Sequence, residues 1–192
     1  MLRANLPGRS RPAAFPSRNR ATGFSLTEML IAIAIVSILA AVAVPNLRTF
    51  LQNIKLNSAG GAVGALLQQA RGEAVKMNGR VLVCARNSAG TDCDTNTDWA
   101  RTGMIACYDV DGDGACDAST TANPNPFRVE RGIDSATVSV TGPAVPIRFN
   151  PTGSQGAVGA GTVTLTVAVV GASSSAVTVT VTGAGLIKSG RK

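Results

Sequence analysis

The sequence contains no histidine and few aromatic side chains, with one tryptophan, one tyrosine and five phenylalanines in 192 residues. Without histidine, a histidine general acid or base is excluded, as are the serine and cysteine nucleophiles that a histidine activates. The commonest zinc ligand is missing as well. These absences argue against an enzyme, and we expect neither a small-molecule substrate nor a resident cofactor.

Acidic residues are absent from the first 23 positions, although that segment carries five arginines. The whole chain has 18 basic and 11 acidic residues, a net charge of +7, but without this segment thirteen basic residues face the same eleven acidic ones. A charge of +7 spread over a folded domain would favour nucleic acid or an anionic membrane as a partner. Here most of the excess lies in the N-terminal segment.

An apolar run of 21 residues follows, from Phe24 to Val44, in which Glu28 is the one ionised side chain. As a helix this length crosses about 30 Å of hydrocarbon. The preceding arginines would hold that end in the cytoplasm and place the rest of the chain on the other side. A carboxylate inside a membrane costs about 2.5 to 3.5 kcal/mol and is seldom retained without a partner.

Three interpretations of this run are open. It could be a secretory signal peptide cut after Ala41-Val42-Ala43, which would free a secreted β-protein, or an uncleaved signal anchor that tolerates Glu28. The third is a prepilin leader. Gly23-Phe24-Ser25-Leu26-Thr27-Glu28 resembles the start of type IV pilins and type II secretion pseudopilins, and Pro45 matches the proline that commonly interrupts the pilin helix.

This resemblance implies that residues 1–23 are a leader, which a prepilin peptidase removes between Gly23 and Phe24 before Phe24 is methylated. Segment 24–45 would be the transmembrane and assembly helix of a single-pass protein of the bacterial inner membrane, with its head in the periplasm. Glu28 would pair with the new amine of a neighbouring subunit, because pairing offsets the cost of burying both charges. Other pilins, the peptidase and the membrane would be the partners.

The apolar residues beyond Pro45 keep helical spacing, which predicts that an amphipathic helix over 46–79 continues into the head and ends near Asn78-Gly79. The positions are Leu47, Phe50, Leu51, Ile54, Val63, Leu66, Leu67, Ala70 and Ala74. Gly60, Gly61 and Gly64 weaken the middle of this helix. We expect a bend or break there, or a close approach of the helix to a sheet.

Residues 80–192 are predicted to form a β-rich head, with strands near 80–85, 103–108, 126–131, 136–141 and 146–150. Valine and threonine then alternate over 162–169 and 177–182, which predicts an antiparallel hairpin around Gly171-Ala-Ser-Ser-Ser. Disorder is the alternative for this region, since aromatic residues are scarce. The fold class is therefore α+β and pilin-like, with a long N-terminal helix packed on an antiparallel, sandwich-like head.

Several stretches of the head resemble the GspH/FimT branch of minor pilins and pseudopilins. They are Ala70-Arg71-Gly72-Glu73-Ala74, Asp98-Trp99-Ala100-Arg101-Thr102-Gly103-Met104, the run from Tyr108 to Gly114, and the run from Ile147 to Gly153. The resemblance implies a structural subunit that initiates or caps a type II secretion pseudopilus or a type IV pilus.

A DNA-binding minor pilin of the FimT type is the alternative function. Such proteins are implicated in DNA capture for natural transformation through a basic C-terminal motif. The candidates here are Lys188, Arg191 and Lys192, but their spacing departs from that motif and no aromatic residue lies among them. A solvated basic tail is the simpler interpretation.

The four cysteines predict two disulfides in an exported head, with three possible connectivities. The equal spacing favours Cys84 with Cys93 and Cys107 with Cys116. A zinc site of four thiolates is the alternative, and it is disfavoured because the sequence has no C-x-x-C pair and an exported head lies in an oxidising compartment.

An acidic loop places Asp109, Asp111, Asp113 and Asp117 at positions 1, 3, 5 and 9 of a calcium-binding loop. Position 12, where such a loop needs glutamate, is Thr120. A glycine-rich turn between strands is therefore favoured. Weak calcium binding is the alternative.

Overall fold

The computed structural model describes residues 23–121, 124–156, 161–171 and 175–192. The predicted leader, apart from Gly23, lies outside the described residues, as do Ala172, Ser173 and Ser174 of the predicted hairpin turn. The chain divides between Val44 and Pro45 into two compact units. The second half of the long helix therefore belongs to the same unit as the sheets.

A single helix, α1, spans Leu26–Lys76 and contains Pro45. It ends close to Asn78-Gly79, as predicted. The end is a Schellman arrangement, in which Asn78 has a φ of 48° and the Gly79 amide donates to the carbonyl oxygen of Ala74 at 3.1 Å. Asparagine tolerates this left-handed conformation, so the chain can reverse there into the first strand.

The head-side part of α1 buries one face against the sheets. The buried positions follow the i, i+3, i+4, i+7 rule and are Leu56, Ala59, Gly60, Val63, Leu66, Leu67, Ala70 and Ala74. The predicted break at the glycines is wrong, because the helix runs through them. A Cβ on Gly60 would lie 2.9 Å from Cγ1 of Val177, so this glycine lets the helix approach a strand closely.

Ten strands and a short second helix follow α1 in the described part of the chain. In chain order they are β1 (Val81–Arg86), β2 (Cys93–Asp94), α2 (Trp99–Thr102), β3 (Met104–Tyr108), β4 (Arg128–Glu130), β5 (Val138–Thr141), β6 (Ile147–Phe149), β7 (Gln155–Gly156), β8 (Val163–Val169), β9 (Ala176–Val181) and β10 (Ile187–Arg191).

These strands form two sheets in which all pairs are antiparallel. The first has the order β4-β3-β1-β6-β7, with β2 paired to one end of β1, and the second has the order β10-β9-β8-β5. The predicted α+β arrangement, with a long helix and antiparallel sheets, is confirmed.

The valine and threonine hairpin is confirmed as β8 and β9, which pair from Val163↔Val181 to Ala168↔Ala176. Leu165, Val167, Val177, Val179 and Val181 point into the core, while the threonines between them are exposed or half-buried. Alternation of this kind places every second side chain on the buried face. The disorder alternative does not hold for these strands.

The C-terminal residues form a strand that the sequence did not predict. Residues 187–191 form β10, which pairs with β9 through Ser189↔Val179 and its neighbours. Arg191 donates from Nη2 to Oδ1 of Asn57 on α1 at 3.3 Å. The C-terminal residues are thus held between a strand and the helix, although their side chains are mostly exposed.

The core of the head depends on few aromatic residues. Trp99 and Phe149 are both completely buried, and alanine, valine, leucine and isoleucine form most of the rest. Trp99 begins α2, whose N-cap is Asp98, and α2 contacts both β1 and β5. The tryptophan therefore lies where the two sheets meet.

Candidate assembly site

The first part of α1 presents a long apolar surface. Every residue from Phe24 to Val44 is exposed in the isolated chain. Among the described residues, α1 is the one helix long and apolar enough to cross a membrane. Exposed apolar patches of this extent mark sites that lipid or protein covers.

The head unit has exposed apolar residues of its own on α1, beyond the predicted membrane span. Leu47, Phe50, Leu51 and Ile54, which belong to the head unit, remain 48–60% exposed. Phe24–Val44 already has the length that a bilayer requires. The four residues beyond it therefore need protein neighbours for burial, which is the property expected of a subunit that packs against others.

Glu28 lies in the first turn of α1 and closes a capping box with Ser25. The backbone N and Oγ of Ser25 donate to Oε2 of Glu28 at 2.8 and 2.9 Å, and the Glu28 amide donates back to Oγ of Ser25 at 3.2 Å. Such a box satisfies amides that a helix start leaves unpaired. Our sequence interpretation missed it, although serine three residues before glutamate is its signature.

Several polar contacts link α1 to the strands and loops of the head, and two of them involve a group whose pKa is shifted. Lys55 donates to Oδ2 of Asp134 at 3.0 Å, and hydrogen bonds from Thr137 and Lys55 lower the pKa of Asp134. The hydroxyl of Tyr108 donates to Oε2 of Glu73 at 3.4 Å, and burial, followed by the charge of Glu73, raises the pKa of Tyr108. The Lys55–Asp134 pair is half-exposed, so it contributes little to stability.

Both predicted disulfides are present. Cys84 bonds to Cys93 and Cys107 to Cys116, each with its Cα atoms 5.5 Å apart. The described residues contain no free cysteine. A zinc site of four thiolates is therefore wrong, because all four sulfurs are used in the bridges.

The acidic loop adopts the conformation of a turn. Carboxylate oxygens of Asp109, Asp111 and Asp113 lie within 4.8 Å of one another, whereas Asp117 accepts from the amide of Val110 at 2.8 Å. Asp109 is fully buried and has Nη2 of Arg148 3.3 Å from its Oδ2. The Arg148 guanidinium therefore supplies a positive charge beside this buried carboxylate. Hydrogen bonds from amides of the loop to its aspartate oxygens account for the turn. Weak calcium binding stays the untested alternative.

Comparison with known proteins identifies the family. Residues 59–185 match the family described as type II transport protein GspH, and residues 18–44 match the prokaryotic N-terminal methylation motif. No curated protein matches the chain. The methylation motif covers Gly23, Phe24 and Glu28, and the GspH match covers α1 from Ala59 onward and the strands β1 to β9.

Solved structures show the same fold. The type IV minor pilin FimU of Pseudomonas aeruginosa, in one crystal form, superposes with a TM-score of 0.52 over 72% of this chain and 90% of its own, at 20% identity. A second crystal form of FimU gives a TM-score of 0.50 over 70% and 92%, also at 20% identity.

The matches support a structural subunit and give no support to the DNA-capture alternative. They agree with a membrane-anchored chain, since a methylation motif lies on the exposed apolar helix. The chain belongs to the GspH family, and it is a structural subunit of the minor pilin and pseudopilin class.

Proposed function

We propose that this subunit is anchored in the inner membrane by Phe24–Val44, with its head in the periplasm, and joins a filament after removal of residues 1–23. One observation carries the proposal: every residue of Phe24–Val44 is exposed, and this apolar helix surface contains a single carboxylate, that of Glu28. Lipid can cover this surface before assembly. Neighbouring helices would cover it afterwards.

Cleavage between Gly23 and Phe24 creates a positive charge that can pair with the carboxylate of Glu28. Hydrolysis there leaves an ammonium group on Phe24, which methylation keeps positive. An ammonium from one subunit beside Glu28 of the next removes most of the cost of holding either charge in an apolar filament core. A subunit displaced along the axis would leave both charges unpaired, so this pair would also set the register.

Two filament systems use subunits of this kind. The matching family is described as a type II transport protein, which supports a secretion pseudopilus, and FimU supports a type IV pilus through its fold. In either system a minor subunit would initiate or cap the filament.

A deletion strain tests the proposal. Loss of secretion of extracellular proteins, restored by the wild-type chain, would assign the subunit to a pseudopilus, and loss of surface pili would assign it to a pilus. Cells of the deletion strain that retain both secretion and pili would contradict a role in filament assembly.

A further inference from the structure

The two disulfides of the head lie against each other. The Sγ atoms of Cys93, Cys107 and Cys116 are all within 4.8 Å of one another. The closeness follows from the pairing of β1 with β3, in which Leu82 stands opposite Cys107 and Cys84 opposite Ile105. One sulfur of the first bridge is therefore a near neighbour of both sulfurs of the second.

The carboxylate of Asp92 holds Cys93 and Cys116 side by side. Oδ1 of Asp92 accepts from the amide of Cys93 at 2.7 Å and from the amide of Cys116 at 2.9 Å. These hydrogen bonds involve the backbone and not the sulfurs. The two cysteines should consequently stay together when either bridge is open.

The four sulfurs differ in their access to solvent. Cys84 and Cys107 are buried, while Cys93 and Cys116 are half-buried. An external thiol therefore reaches Cys93 or Cys116 first. A thiolate at Cys116 is also better solvated than one at Cys107, which makes Cys116 the better leaving group of its bridge.

We propose that the four cysteines form one thiol–disulfide exchange site. An external dithiol reduces the Cys84–Cys93 bridge and is itself oxidised to a disulfide. The Cys93 thiolate then attacks Sγ of Cys107, so that a Cys93–Cys107 bond forms, the Cys107–Cys116 bond breaks and Cys116 leaves as the thiolate. This second step involves no net oxidation. The reverse exchange restores the Cys107–Cys116 bridge without net oxidation, and the disulfide form of the external dithiol then re-oxidises Cys84 and Cys93 and is itself reduced.

The Cys84→Ser variant of the full chain, purified in detergent, tests this site because it leaves Cys93 as a free thiol. The variant is incubated at mildly alkaline pH, quenched with acid and alkylated. Trypsin then yields one peptide of residues 87–101, which contains Cys93, and another of residues 102–128, which contains Cys107 and Cys116. We expect the two peptides to be disulfide-linked in about a tenth or more of the molecules. A further cut after Tyr108 should place the alkyl group on Cys116.

Matched variants separate exchange from nonspecific reshuffling. Cys93→Ser frees Cys84, which is not one of the three clustered sulfurs, and alkylation is expected at Cys84 alone. In the Cys84→Ser background, Asp92→Ala should slow exchange several-fold, whereas Asp92→Asn, which keeps the acceptor oxygen, should restore it. Fluorescence of the buried Trp99 checks that each variant is folded.

The wild-type chain provides a second measurement that does not depend on any variant. Reduction with less than one equivalent of dithiothreitol should yield the same linked peptides transiently. Alkylation confined to Cys93 in the Cys84→Ser variant, with the Cys107–Cys116 bridge intact, would overturn the proposal. So would a wild-type time course without the linked peptides.

Discussion

Replacing Glu28 with glutamine is expected to remove the chain from filaments while leaving its helix and membrane insertion intact. Glutamine serves in a capping box as glutamate does, so the contact with Ser25 is kept. Glutamine, however, carries no negative charge that could pair with the amine of a neighbouring subunit. An unpaired buried charge costs about 3 to 5 kcal/mol, which corresponds to a fall of about 100-fold or more in the incorporated fraction.

The matched control is Ser25→Ala, which removes the capping hydroxyl and keeps the carboxylate of Glu28. Its incorporation should stay near that of the wild type. Filaments sheared from cells and probed for the subunit, beside membrane fractions of the same cells, measure both variants. If Glu28→Gln is incorporated normally and Ser25→Ala is not, Glu28 acts only as a helix cap and the pairing account fails.

Replacing Trp99 with alanine is expected to destabilise the head by about 3 to 5 kcal/mol, the usual loss when a buried aromatic side chain is truncated. The indole is fully buried and its Nε1 donates to the carbonyl oxygen of Pro143 at 3.2 Å. Gly142 packs on the ring so closely that a Cβ there would lie 2.5 Å from Cε2. This loss is large because the free energy of unfolding of a typical domain is only about 5 to 15 kcal/mol.

Urea unfolding of the full chain in detergent, followed by the circular dichroism of the sheets, measures this loss. Val110→Ala is the control, because Val110 is 70% exposed and its truncation should change stability by less than about 0.5 kcal/mol. A loss below about 1 kcal/mol for Trp99→Ala would show that the contact between α2 and the two sheets is not a main support of the head.

Features with a strong local pattern were predictable from the sequence. The threonine and valine alternation placed β8 and β9, and the end of α1 followed from the Asn78-Gly79 signal. The equal cysteine spacings favoured the observed bridges. In each case residues close in sequence determine the structure, so no knowledge of the rest of the fold was needed.

Features that depend on contacts between distant residues were missed. β10 has the sequence Ile-Lys-Ser-Gly-Arg, which lacks alternation, and it is a strand because β9 offers it a partner. The glycines of α1 allowed either a break or a close approach to a sheet, and only the contact of Gly60 with the distant Val177 distinguishes the two. The adjacency of the two disulfides arises from the register of β1 on β3 and from the contact of Asp92 with the amides of Cys93 and Cys116.

The mass of the mature N-terminus, determined on the subunit isolated from membranes or filaments, tests the central claim most directly. We predict a chain that begins at Phe24 and carries one methyl group on its amine. A chain that begins at Val44, or one that retains Met1, would contradict the account, since neither has the amine that Glu28 is proposed to bind.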